Sequence, residues 1–418
     1  MAFPRMMRLQ QEFEAPTVTD IPATVKEEVA RLELSGKVKP GQSVAISVGS
    51  RGVANIAPIT KSLVTELTSL GLEPFVVPAM GSHGGGVAEA QKEIVEAYGC
   101  TEEYTGAPIR ATMDTVEVGT TEDGVTVHFD RYAYEADHVA VVGRVKPHTN
   151  FVGEIESGLH KMMLIGLGKH RGASHYHQAI VNYSFDRIIR SVGQLVIEKC
   201  GVLLGLGTVE NQRDETALIK AVAPSEFVER EKVLLIQAMK WMPRLPFEKV
   251  DLLVVDEIGK NISGSGLDTN VVGRKFHEHQ AAEKEYPKVT RIYVRDLTEA
   301  THGNASGIGV AEYAHSRAIG KMDREITYIN CMTGNAPAGA MIPIHYDSDR
   351  KNLEVALTTV GLVEPQNARL LRIRNTLELT EVLASEAYLP EAERRDDLTV
   401  VDPPADIPFD KAGDLLDW

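Results

Sequence analysis

Residues 43–98 read SVAISVGSRGVANIAPITKSLVTELTSLGLEPFVVPAMGSHGGGVAEAQKEIVEAY, and this stretch sets the fold class. SVAISVGS, residues 43–50, is an apolar run bounded by Gly41 and Gly49, which predicts a buried strand. Over residues 54–70, Ile56, Ile59, Leu63, Val64 and Leu67 recur on one helical face. PFVVPAM, residues 74–80, is the next strand, and Gly84, Gly85 and Gly86 open a helix over residues 87–98. Strand–helix–strand–helix at this spacing means a parallel sheet with right-handed crossovers.

Outward from that stretch, a short helix is expected at residues 21–34, ending before the turn KPGQ. TVEVGTT and GVTVHFD form a predicted hairpin turning at Asp123-Gly124. The sheet resumes with HVAVVGRV, residues 138–145, which Pro147 stops because proline has no N–H for a ladder. Residues 145–177, VKPHTNFVGEIESGLHKMMLIGLGKHRGASHYH, then read as a long glycine-rich loop holding five of the 13 histidines. Such a loop at the carboxyl end of a parallel strand is where open α/β sheets place their sites. A helix over residues 178–199 and a strand from Val202 follow.

A second α/β pattern starts with VDLLVVDEIG, residues 250–259. RIYVRDL and ITYINCM are further expected strands, with a helix over residues 310–319 between them. ALTTVG begins another unit, and a helix over residues 377–387 closes the core. The sequence therefore predicts two α/β domains with mostly parallel sheets and the active site in the cleft between them. Their expected bounds are residues 1–245 and 246–389, with an acidic, Pro-rich tail at 390–418 lying along the surface.

With 418 residues the chain is too long for one ordinary core, and 43% hydrophobic with 25% charged residues is a globular composition. A net charge of −15 argues against nucleic acid as a partner. No apolar run reaches membrane-spanning length, and the N-terminus lacks a signal-peptide core. Cys100, Cys200 and Cys331 are too scattered for a disulfide framework or a cysteine metal cage. A cytoplasmic enzyme is the expectation. Any metal should sit on nitrogen or oxygen ligands.

Three strand ends would deliver Arg51, His83 and His148 to one sheet edge. Arg51 is either a surface charge or a bidentate clamp for a carboxylate or phosphate. His83 stands in GSHGGG, where Gly84, Gly85 and Gly86 let backbone N–H groups approach an anion; the pattern is neither a Walker nor a Rossmann loop. Two histidines flanking a substrate can exchange acid and base roles, each worth ~10²–10⁴ in rate. His175 and His177 would splay about 200° apart on a helix, so they are not a joint metal pair. In GKNISGSGLDTNVVGRK, Lys260, Asp268, Asn270 and Arg274 gather at a second strand end, where Asp268 and Asn270 read more readily as helix caps.

These residues, in this order, resemble the nickel-pincer lactate racemases and their homologues over most of the chain. The family's D-x-T-R arginine is matched by Arg51 in VGSR, and its T-H-R histidine by His83 in GSHG. Its second catalytic histidine is matched by His148 in KPH, and its cofactor lysine in G-G-R-K by Lys161 in GLHK. The metal-ligating histidine lies sixteen residues beyond that lysine, where His177 stands, and the L-D-x-N turn is matched by GLDTN, ending at Asn270. Val48 replaces the family's Asp, Gly84 replaces the Arg after the histidine, and the step from His148 to Lys161 is long.

The resemblance implies a racemase or epimerase that inverts C2 of a 2-hydroxy acid by reversible hydride transfer. The acceptor would be a nickel-pincer nucleotide, pyridinium-3-thioamide-5-thiocarboxylic acid mononucleotide, held on Lys161 and ligated through nickel by His177. His83 and His148 would be the acid/base pair, Gly84–Gly86 would support the cofactor, and Arg51, Lys260, Asp268 and Asn270 the substrate. The departures point to a 2-hydroxy acid other than lactate, larger or a sugar acid. The cofactor-synthesis enzymes become implied partners, and a homo-oligomer is compatible with the sequence. Two alternatives remain: a hydrolase or lyase using a His-bound metal without the pincer nucleotide, and a non-catalytic sugar-acid-binding protein.

Overall fold

Val44, Ile46 and Val48 enter one apolar cluster while Ala45, between them, enters the opposite one. Ala140 and Val142 divide from Val139 and Val141 in the same way. Period-two pleating causes the division, and burial of both faces is the condition under which parallel strands are found. The computed structural model, which describes residues 1–50, 52–276 and 279–418, places these strands in a five-stranded sheet. Its order is Glu73–Pro78, Ser43–Val48, His138–Arg144 and Val202–Glu210, all parallel, with Thr216–Val222 antiparallel at the edge. Helix Ile56–Ser69 covers one face through Ile59, Leu63 and Leu67. Helix Phe185–Lys199 covers the other through Ile188, Ile189, Val192 and Val196. Thr115–Thr120 and Thr126–Asp130 form the expected antiparallel hairpin.

Residues 145–177 are not one loop. Helix Gly158–Lys161 leads into a widened π-type turn at Met162–Gly166, and helix Lys169–Asn182 follows. Leu159, Met163 and Leu167 recur every fourth residue and are fully buried, so a helical face was present beneath the glycines. The glycines serve close packing. A Cβ on Gly143 would lie 2.9 Å from Met162 Cγ, and one on Gly166 would lie 2.8 Å from the Ala79 carbonyl oxygen. The single helix expected at 178–199 is two, because Ser184 caps Phe185–Lys199 by accepting the Arg187 N–H at 3.2 Å.

The chain divides into two compact units, Glu14–Met242 and a unit joining Met1–Phe13 to Pro243–Trp418. This division differs from the expected one at both ends. Met6–Gln11 lies antiparallel between Glu381–Ser385 and Leu398–Ala405, so neither the first residues nor the presumed tail at 390–418 stand apart. They complete an eight-stranded sheet whose other strands are Ile344–Tyr346, Tyr313–His315, Lys288–Leu297, Lys249–Ile258 and Leu370–Ile373, these five parallel. The α/β class with mostly parallel strands holds in both units.

Four element assignments in the second unit are corrected. ITYINCM lies in helix Arg324–Thr333, not in a strand: Asp323 caps it, and Thr327 and Cys331 are buried four residues apart while Ile326 and Ile329 are exposed. The helix expected at 310–319 is the short strand Tyr313–His315 followed by helix Ser316–Lys321. The helix expected at 377–387 is strand Glu381–Ser385, with Val382 and Ala384 buried in alternation. ALTTVG, expected to open a unit, overlaps the end of helix Asp349–Leu357. Local propensity yielded to sheet pairing and capping in each case.

Candidate active site

His83 follows the end of strand Glu73–Pro78 and precedes three glycines with φ of 63°, 65° and 68°, all left-handed. A side chain at Gly84 would press on the backbone of Ala90 and Gln91 at 3.2 Å, whereas Gly85 faces open space. The turn is held from behind by Gln91, fully buried, whose side-chain amide donates to the carbonyls of Gly81 at 2.9 Å and His83 at 3.0 Å. The ring of His83 is fixed in front by Ser50, whose Oγ lies 2.5 Å from Nδ1. Ser50 is itself held by the Tyr98 hydroxyl, which donates to its carbonyl at 2.8 Å. Ser50, Gln91 and Tyr98 were not singled out in the sequence. Arg51 lies outside the described residues.

His148 sits on a loop pinned by two side chains that the sequence reading also missed. Buried Glu156 accepts the His148 N–H at 2.9 Å, and Ser157 Oγ both accepts the Lys146 N–H at 2.7 Å and donates to its carbonyl at 2.6 Å. The ring Nδ1 of His148 accepts the N–H groups of Asn150 at 3.0 Å and Phe151 at 3.1 Å. An acceptor at Nδ1 fixes the neutral tautomer, so Nε2 carries the proton and presents an N–H.

Phe151 gathers this group. Its ring stacks on His148 at 4.2 Å and 15°, and on Phe185 at 4.1 Å and 10°. Lys161 Nζ lies 5.7 Å from the same ring centre, and the His177 ring 5.9 Å away. Burial, and then the positive charge of Lys161, push the pKa of His177 below its usual value. A neutral imidazole with an available lone pair is the form that binds metal. The structure therefore brings His148, Lys161 and His177 together around one aromatic ring.

The stretch's other basic residues have different duties. His160 is 1% exposed and pairs through Nδ1 with Glu231, while its ring fills the space left by Gly193. Lys169, fully buried, pairs with Asp130 at 2.9 Å and donates to the Pro78 carbonyl. Burial raises the Asp130 carboxyl, with Lys169 opposing. His170 meets the glycine turn, its Cβ lying 3.7 Å from where a Gly86 Cβ would be. His175 turns away from Phe151 to face His128, so between the two histidines of HYH only His177 joins the Phe151 group.

In the second unit, Lys260 Nζ donates to Asn330 Oδ1 at 2.8 Å and to the Gly264 carbonyl. Asp268 Oδ1 accepts both the backbone N–H and the side-chain amide of Asn270, each at 2.9 Å, the local-cap geometry. Buried Arg274 donates to the carbonyls of Val289 and Thr290 and pairs with Glu312. Among the described residues, His315, Asp349 and Asp414 form a group of metal-ligating type. Arg317 pairs with both carboxylates and Arg295 with Asp349, so guanidinium groups already supply the positive charge there.

Residues 6–186 match the family model described as the lactate racemase N-terminal domain. Among solved structures, the lactate racemase apoprotein from Thermoanaerobacterium thermosaccharolyticum aligns with a TM-score of 0.55 at 12% identity, covering 88% of this chain and 94% of that one. At that identity the likeness is one of fold. No curated protein sequence matches the chain. The family-model match includes the positions of Arg51, His83, His148, Lys161 and His177. Among the described residues, no helix is long and apolar enough to cross a membrane.

Proposed function

On the premise that residues 6–186 are a lactate racemase N-terminal domain, we propose that this chain is a racemase or epimerase inverting the C2 centre of a 2-hydroxy acid. The observation that carries the reading is the gathering of His148, Lys161 and His177 about Phe151. The substitutions of Val48 and Gly84 for the family's charged residues favour a substrate larger than lactate, such as a sugar acid.

The donor set fits a nickel-pincer nucleotide. His177 offers neutral imidazole nitrogen, which suits nickel, and Lys161 offers an amine for covalent attachment. The left-handed Gly84–Gly86 turn, open at Gly85, offers the backbone N–H groups of Gly84 and Gly85 to a phosphate, while that of Gly86 donates to the His83 carbonyl at 3.2 Å. When bound, that cofactor supplies the electrophilic centre that takes and returns the C2 hydrogen with its electron pair.

The chain's own residues do the rest. Arg51 grips the substrate carboxylate. His83 Nδ1 lies 2.5 Å from the Ser50 hydroxyl, and the tautomer that acts as base is the one protonated at Nδ1, with its lone pair on Nε2. His148 starts as a donor, because two backbone N–H groups occupy its Nδ1. For one hand of the substrate His83 takes the hydroxyl proton while His148 donates a hydrogen bond. For the other hand His148 is the base only in its other tautomer: the Nε2 proton is lost to solvent and one is taken up at Nδ1, which gives up the amides of Asn150 and Phe151 and leaves Nε2 a lone pair for the hydroxyl proton.

The test is protein made alongside the cofactor-synthesis enzymes, assayed for intact mass, nickel and sulfur content, and racemisation of a panel of 2-hydroxy acids. A mass adduct with racemisation supports the proposal. Metal without the adduct, together with hydrolysis or elimination, would identify a metal-dependent hydrolase or lyase instead.

A further inference from the structure

Helix Lys169–Asn182 carries its two HYH histidines on different sides, and the Phe151 group uses only His177. His175 points toward the Thr115–Thr120/Thr126–Asp130 hairpin, where its ring meets His128 edge to face at 6.2 Å and 81°. His128 is 5% exposed, and its Nδ1 is buried without a hydrogen-bond partner. His175 Nε2 is likewise buried and unpartnered. Two orphaned imidazole nitrogens on facing elements call for an explanation, because buried polar atoms are as a rule satisfied.

The surroundings supply one. Gly172, one turn before His175, lets the helix approach the hairpin closely: a Cβ there would sit 3.5 Å from His128 Cβ. Glu117 is the direct cross-strand partner of His128, so both side chains leave the same face of the hairpin. Arg171, one turn before His175, pairs with Glu117 at 3.4 Å, and both side chains are mostly exposed. A cation thus already stands beside the histidines, on a contact of the weak surface type.

We propose that Glu117, His128 and His175 form a second metal site, separate from His177, that takes a zinc-type divalent ion. Two imidazoles and one carboxylate are a familiar zinc donor set, with water as the fourth ligand. Burial, and then the charge of Arg171, lower the pKa of His128 against the opposing charge of Glu117, which favours the neutral form in which an imidazole ligates. The three ligand atoms do not converge as the side chains stand; Glu117 must turn from Arg171 to the ion, so the arginine competes with the metal. The bound ion would pin the hairpin to the helix that also presents His177.

The experiment uses the chelator-stripped apoprotein, full length and without the pincer cofactor or substrate, titrated with Zn²⁺ alone by calorimetry and followed by thermal shift. Loss of an outer partner of a metal ligand already costs ~10–100-fold in affinity, so His175→Ala should weaken one Zn²⁺ equivalent by at least that much. His177→Ala should retain that equivalent. Arg171→Ala should tighten it, which tests the site with its ligands intact even if a ligand variant folds poorly. Equal stoichiometry and affinity in wild type, His175→Ala and Arg171→Ala overturns the site. The readout involves neither racemisation nor the cofactor, so this site can fail while the racemase reading stands, and the reverse.

Discussion

Two glycine-rich stretches follow parallel strands in this protein and look alike in sequence, yet they fold to different ends. After His138–Arg144, the polar side chains are held by others: Glu156 and Ser157 fix the backbone at His148 and Lys146, and Phe151 holds the ring of His148 near Lys161 and His177. After Lys249–Ile258, the polar side chains bind one another, their own turn and a neighbouring helix: Asp268 holds Asn270, and Lys260 holds the Gly264 carbonyl and Asn330 of helix Arg324–Thr333. In the first arrangement buried supporting residues fix the backbone that carries the basic groups. The second holds its own turn and ties it to helix Arg324–Thr333. Glycine content and charge do not separate the two; what lies behind the loop does.

The sharpest way to break the comparison uses two lysines of the first stretch. Lys161→Arg should abolish the cofactor mass adduct outright, because a guanidinium does not form the thioamide; an undiminished adduct would move the anchor elsewhere. Lys169→Ala should act on the fold instead. It strands Asp130 in the core, and breaking a buried pair costs ~3–5 kcal/mol, readable as a lowered denaturation midpoint. A Lys169→Ala protein of wild-type stability would show that the pair does not matter.

His83→Ala and His148→Ala should each lower racemisation by ~10² or more. Stopped-flow half-reactions should show opposite enantiomer preferences, with the hand that starts on His83 as base being the one that survives in His148→Ala. Equal amplitudes for both hands in both variants would remove the two-base mechanism. The smallest effect belongs to the second stretch. Asp268→Ala should cost ~0.5–1.5 kcal/mol of stability for the lost turn hydrogen bonds and leave the mass adduct in place. If instead it silences turnover as His83→Ala does, the two loops are functional equals and the contrast drawn between them fails.

Much of the first unit was legible because its signals are local. Alternating apolar residues at 43–48 and helical spacing at 56–67 report burial within a few residues of themselves. The same spacing at Leu159, Met163 and Leu167 was readable too, but the glycines between them suggested a loop. Their reason was close helix packing, which no local pattern shows. In the second unit the signals misled: β-branched and aromatic residues at 326–329 belong to a helix, and the acidic closing segment hides a strand.

By itself, the sequence determined the α/β class and the order of the chemistry-bearing residues, since periodicity and motif spacing are written along the chain. Tertiary structure alone decided that Met6–Gln11 pairs with strands nearly four hundred residues away, a register no local propensity encodes. It alone selected Phe151 as the ring that joins His148, Lys161 and His177. Helical geometry required His175 and His177 to part company, but which of them met Phe151 and which met His128 depended on what packed against each face of the helix. The tautomer of His148 was settled the same way, by two backbone N–H groups that only the folded loop brings to its ring.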